Sequence, residues 1–231
     1  MRTASRRITR KDIRQPDWFV TMARELVSFG KTNRTALAAA LVVLILFVAA
    51  LLGWNLYKGR QDRLAAEEFG RAVELYHAAN YKQAMEALNR LEAYRTSYYS
   101  RLGLLYAANT QAALQDTARS IETLRQLLQR EKKDPLLRQA AYVSMGYSQE
   151  QTGQCKEAAA SFAEAEKLAG PLKADATLGK ARCDGVAGNY KDALAAYRKF
   201  LADNPDSERF SEVSVRIQEL EAKAGGAAPP R

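Results

Sequence analysis

The chain has 231 residues, 47% of them hydrophobic and 26% charged, with 35 Lys and Arg against 26 Asp and Glu for a net charge of +9. That apolar content supports a folded core, while one histidine and two cysteines leave little material for imidazole- or thiolate-based catalysis or for zinc. The basic excess is local: nine basic and three acidic residues leave residues 1–34 at +6, whereas residues 58–231, with 26 basic and 23 acidic, carry only +3.

Residues 1–34 read as a basic segment with one patterned stretch. Trp18, Phe19, Met22, Leu26 and Phe29 recur at spacings of three and four, which makes one apolar helical face. Asp17 can cap the start of such a helix and Gly30 can end it. With Arg24 and Lys31 nearby, the spacing predicts an amphipathic helix lying on a membrane surface, its cations toward anionic head groups.

Residues 35–57 contain no charge. As a helix the run would be roughly 34 Å long, enough to cross a hydrocarbon core of about 30 Å. Lys and Arg near a span stay cytoplasmic, so the N-terminus is expected inside and the C-terminal part outside. Trp54 and Tyr57 fit an interfacial aromatic belt at the outer end. A cleaved secretory signal would have a shorter apolar run and a small-x-small cleavage site. Leu51-Leu52-Gly53-Trp54 offers bulky residues there, so the run is read as an uncleaved anchor. With two thirds of the net charge beside this span, no nucleic-acid partner is expected.

Residues 58–224 are rich in Ala, Leu, Glu, Lys, Arg and Gln, all good helix formers. No Val/Ile/Thr alternation marks a strand, and the predicted fold class is all-α. Self-comparison reveals a period. The small residues Ala84, Ser120, Ala158 and Ala193 are separated by 36, 38 and 35 residues, and twelve residues before each stands another: Ala72, Ala108, Gly146 and Ala181. Four residues after each comes a large one: Leu88, Leu124, Phe162 and Tyr197. Small residues so spaced sit where two antiparallel helices approach closely, and the large residue fills the neighbouring gap. One helix pair cannot bury its apolar face, so pairs must stack. The spacing predicts three to four helix pairs, a capping helix over 206–223, and a disordered tail over 225–231, which holds Gly225, Gly226 and Pro229-Pro230.

On these residues the chain resembles the tetratricopeptide repeat family. The fourth unit carries Ala181, Gly188-Asn189-Tyr190, Ala193, Tyr197 and Asn204-Pro205. The third carries Tyr142, Gly146, Gly153, Ala158, Phe162 and Gly170-Pro171. In the first two units Leu88 and Leu124 replace the aromatic, and Ser120 replaces Ala. The layout of basic segment, one span and divergent repeats resembles the ancillary subunits of the bacterial Sec translocon. That family is anchored in the inner membrane with its repeats in the periplasm. The resemblance implies a single-pass inner-membrane scaffold whose partner is a protein near the translocon or a periplasmic chaperone. The alternative is a self-assembling envelope module, a homo-oligomer with no client.

No catalytic set, metal set or phosphate loop emerges from the sequence, so neither an enzyme nor a cofactor is expected. His77 is the lone histidine. Repeat solenoids present a concave face lined by the first helix of each pair, which places Phe69, Val73, Tyr76, His77, Leu105, Asn109, Tyr147, Gln151, Leu178 and Arg182 there. Of these, Tyr76, His77, Asn109, Tyr147, Gln151 and Arg182 are the candidate partner-binding residues, with Tyr76 and Tyr147 as aromatic clamps. Asn109 matches an Asn used by peptide-binding members of the repeat family. Leu105 stands where carboxylate-clamping members carry Lys, so the resemblance gives no support for terminal-carboxylate recognition. Cys155 and Cys183 fall on neighbouring helices toward the same end and are read either as a disulfide or as two buried thiols.

Overall fold

The computed structural model describes residue 22 and residues 34–225, and among these it is all-helical with no strand. The surface helix expected over 16–30, apart from Met22, and the tail expected over 225–231, apart from Gly225, lie outside the described residues. The helices are α1 Arg34–His77, α2 Tyr81–Arg90, α3 Tyr98–Ala113, α4 Thr117–Arg130, α5 Pro135–Gln151, α6 Cys155–Glu166, α7 Lys173–Val186, α8 Tyr190–Asp203 and α9 Phe210–Ala224, with a 3-10 turn at Leu91–Tyr94.

The chain divides into two compact units, Met1–Tyr57 and Lys58–Arg231. In the first, the uncharged run is helical throughout as part of α1. Its most apolar window has mean hydropathy 3.0 and none of it is buried. By length and composition this helix is able to cross a membrane. α1 passes Gly59 without a break and ends at His77.

In the second unit, the last turns of α1 pair with α2, and α3/α4, α5/α6 and α7/α8 form the following pairs. The small residues of the sequence period are their seams. Ala72, Ala84, Ala108, Ala158, Ala181 and Ala193 are fully buried and Ser120 is 1% exposed. The large residues four later, Leu88, Leu124, Phe162 and Tyr197, are buried beside them. Four apolar clusters result, each drawn from one pair and the first helix after it. Ala72, Leu88 and Ala107 join α1, α2 and α3. Leu105, Leu124 and Met145 join α3, α4 and α5. Val143, Phe162 and Cys183 join α5, α6 and α7. Ala181, Tyr197 and Leu220 join α7, α8 and α9. This continuous sharing is what makes a solenoid: no pair completes its own core.

Serine at position 120 has a structural reason. Its hydroxyl and that of Ser148 on α5 are hydrogen-bonded at 3.0 Å in the interior, so the polar substitution is satisfied. Gln139, fully buried, donates to the carbonyls of Ala165 and Leu168 and accepts from the Leu172 N–H. One side chain thus fixes the α6–α7 connection. Glu131 accepts from the backbone N–H groups of Lys133 and Asp134 and from Arg101 Nε. The Asp134 N–H in particular holds its carboxyl below the usual carboxylate range despite burial.

Two expectations are corrected. The capping helix begins at Phe210 rather than at 206, because Asn204 leaves helical geometry ahead of Pro205 and a turn fills the interval. Leu105, expected on the concave wall, is 9% exposed and belongs to the core shared by α3, α4 and α5.

Each pair turns through one residue with positive φ: Ala79 at 57°, Gln115 at 65°, Gly153 at 75° and Gly188 at 85°. Only two of the four are glycine. A side chain costs about 1–2 kcal/mol in this region, against about 0.5–1 kcal/mol for glycine's extra chain entropy. Ala79→Gly and Gln115→Gly should therefore each raise stability, by up to about 1 kcal/mol. Gly153→Ala and Gly188→Ala should lower it. Urea denaturation followed by helical circular dichroism checks both directions, and equal midpoints for all four variants would contradict the turn geometry.

Candidate functional site

The first helices of successive pairs lie side by side, α3 against α5 and α5 against α7. A side chain recurring at the same point of the repeat therefore meets its counterpart on the next first helix. Two groups form in this way.

The first group is aromatic. The Phe69 and Tyr76 rings on α1 lie 5.3 Å and 5.4 Å from Tyr106 on α3, both edge-on. Phe69 also lies 5.7 Å from Tyr99. Tyr76 further meets Tyr81 and His77, at 5.8 Å and 5.6 Å. Edge-to-face contacts of this kind stabilise a pair by about 0.5–1.5 kcal/mol beyond burial. Burial raises the Tyr76 phenol above its ordinary pKa, so it stays neutral. His77 is exposed at the end of α1.

The second group is built on Arg182 of α7. Its Nε and Nη2 donate to the two carboxylate oxygens of Glu150 on α5, each at 2.8 Å. The guanidinium also stands 5.7 Å from the centre of the Tyr147 ring, and Tyr147 in turn meets Phe162 edge-on at 5.3 Å. A bidentate fork plus a ring face leaves the arginine one orientation, and its pKa is raised, chiefly by the bond to Glu150. This group walls a cavity of about 260 Å³, completed by Leu178 of α7, as expected of the concave wall, by Tyr197 of α8 and by Arg209, Glu212, Val213 and Arg216 at and on α9. Arg209 bonds Asp175 at 2.6 Å and Arg216 bonds Glu219 at 2.8 Å. All three guanidiniums at the cavity are paired, so it offers directed N–H groups without a large excess of charge.

Of the six candidate residues, the structure brings together Tyr147 with Arg182 and Tyr76 with His77. Asn109 is half-buried on α3, and Gln151 is exposed at the end of α5. Both stand apart from the two groups. Glu150, Arg209 and Arg216 were missed by sequence reasoning. Glu150 had a usable signal, since it follows Tyr147 by three residues on the same helical face. The α9 arginines had none, because the cap lies outside the period. Cys155, half-buried, and Cys183, buried, are free thiols of one apolar cluster. Among the described residues no group of three His, Cys, Asp or Glu side chains is placed to hold a metal.

A family described as a tetratricopeptide repeat-like domain matches residues 28–222. Among solved structures, the crystal structure of MamA protein is similar with a TM-score of 0.59 at 17% identity, over 70% of this chain and 82% of that one. A protein of Podosopora anserina, described as a putative kinesin light chain with nearly identical TPR-like repeats, has a TM-score of 0.54 at 14% identity, over 71% of this chain and 97% of that one. No curated protein sequence matches the chain. At these identities the structural likeness concerns the fold.

If Glu150 positions Arg182, the two should be coupled. A double-mutant cycle of Glu150→Ala and Arg182→Ala should give about 1 kcal/mol of interaction in chemical denaturation. Additivity of the two single changes would show the fork to be incidental.

Proposed function

Because the chain belongs to the tetratricopeptide repeat-like domain family, whose repeats mediate protein–protein interaction, we propose that it is a membrane-anchored scaffold that holds a protein partner against its first helices. In this reading residues 35–57 span the bacterial inner membrane, residues 1–34 stay cytoplasmic, and residues 58–224 form the repeat domain in the periplasm. The observation that carries the anchor is the uncharged run of α1, helical, strongly apolar and wholly unburied. Left in water, that surface would be an aggregation site. The orientation is supported by the +6 flank on the N-terminal side. The family match begins at residue 28, so it takes in the run as well as the repeats.

The partner surface in this reading is the pair of groups described above, with Tyr147 and Arg182 at its centre. Aromatic and arginine side chains are the common anchors of protein interfaces, and neither group carries an acid–base or nucleophilic set. The resemblance to ancillary translocon subunits supports, in this reading, a partner among translocon components, periplasmic chaperones or secreted proteins.

A photo-crosslinker at Tyr147 in intact membranes tests the proposal. Adducts to a second protein that weaken several-fold with Arg182→Ala are expected. Adducts formed only between copies of this chain would replace the proposal with self-assembly, and no adduct from any first-helix position would remove it.

A further inference from the structure

We propose that Cys155 and Cys183 are an oxidation site, closing a disulfide that ties α6 of the third pair to α7 of the fourth. The placement of the helices carries the inference. The Phe162 ring of α6 lies against Gly179 of α7, where an added Cβ would come within 2.5 Å of it. One turn back along α6 is Ala158, and one turn forward along α7 is Cys183. The two are therefore level, and both are fully buried. Cys155 precedes Ala158 by a further turn on the same face of α6, diagonal to Cys183. Glu166 bonded to Thr177 at 2.5 Å fixes the same antiparallel register from the other end. Cys183 belongs to the core between these helices and Cys155 packs against it.

The two thiols differ in access. Cys183 is fully buried, whereas Cys155, the first residue of α6, is half-exposed. Burial and the neighbouring Cys155 thiol push the Cys183 thiol up to about 12. Oxidation therefore begins at Cys155. Its thiolate attacks one sulfur of an external disulfide such as glutathione disulfide, forming a mixed disulfide and releasing one glutathione thiolate. Cys183, once deprotonated, attacks the Cys155 sulfur and releases the second glutathione. Two protein thiols are oxidised, one external disulfide is reduced, and the two protons end on the released glutathiones. Because Cys183 ionises with difficulty, the second step is slow at neutral pH, and the bridge is a lasting staple rather than a fast switch. It anchors α7 one residue from Arg182.

Full-length protein in detergent, reduced and then held with glutathione disulfide at about pH 9 to favour thiolates, tests this without reference to any membrane orientation. After alkylation, intact and peptide mass should show both cysteines joined within one chain, lighter by two hydrogens and free of glutathione. The oxidised form should melt about 5 °C above the reduced form, an increment absent in Cys155→Ser. A Cys183→Ser variant should retain one glutathione on Cys155. Two alkylated thiols, a persisting glutathione adduct on the wild type, or a bridge between chains would each overturn the proposal.

Discussion

The repeat body depends on one steric constraint: paired helices meet at residues too small to hold them apart. Ala72 with Ala84, Ala108 with Ser120, Gly146 with Ala158, and Ala181 with Ala193 are the four seams, all of them buried. A larger side chain at a seam would part the backbones and open a gap beside Leu88, Leu124, Phe162 or Tyr197. Those large residues succeed as core because the seams are narrow. Once each pair is fixed, its remaining apolar face has one partner available, the first helix of the next pair, and the stacking repeats to α9. The side-by-side first helices that carry the two groups follow from this arrangement.

This constraint also explains what the sequence revealed. The seams were legible because a small residue is demanded at each repeat, whatever else varies. The adjacency of Tyr147 and Arg182 was legible for the same reason, since they occupy equivalent points 35 residues apart. The turns were half legible. Gly153 and Gly188 announce a positive φ, but Ala79 and Gln115 adopt it under the pull of the packed helices on either side. The 3-10 turn at Leu91–Tyr94 had no sequence signal of its own. Leu105 was misplaced because a first helix turns part of its face toward the following pair, and period alone does not say how far. Charge pairing across repeats, as between Arg182 and Glu150, depends on side-chain direction, which spacing does not encode.

The polar contacts position more than they stabilise. Most ion pairs of the body are substantially exposed, where such pairs contribute about 0–1 kcal/mol. Their geometric effect is larger. Arg182 is aimed by Glu150 and Tyr147, and Gln139 fixes the connection into α7. The interior supplies the rigidity and the fork supplies the direction, which is how a surface keeps its shape while awaiting a partner.

The steric claim is tested most directly at the seam residue Gly146. Helix propensity alone predicts that Gly146→Ala stabilises α5, by about 1 kcal/mol. Packing predicts the opposite, because the new Cβ would come within 2.7 Å of the buried Phe162 ring, an overpacking that costs about 1–3 kcal/mol. Urea denaturation of Gly146→Ala, alone and with Phe162→Leu, separates the two. A loss of stability that shrinks when Phe162→Leu is also present is the result predicted here. A gain with Phe162 intact would show that the seams do not govern the fold.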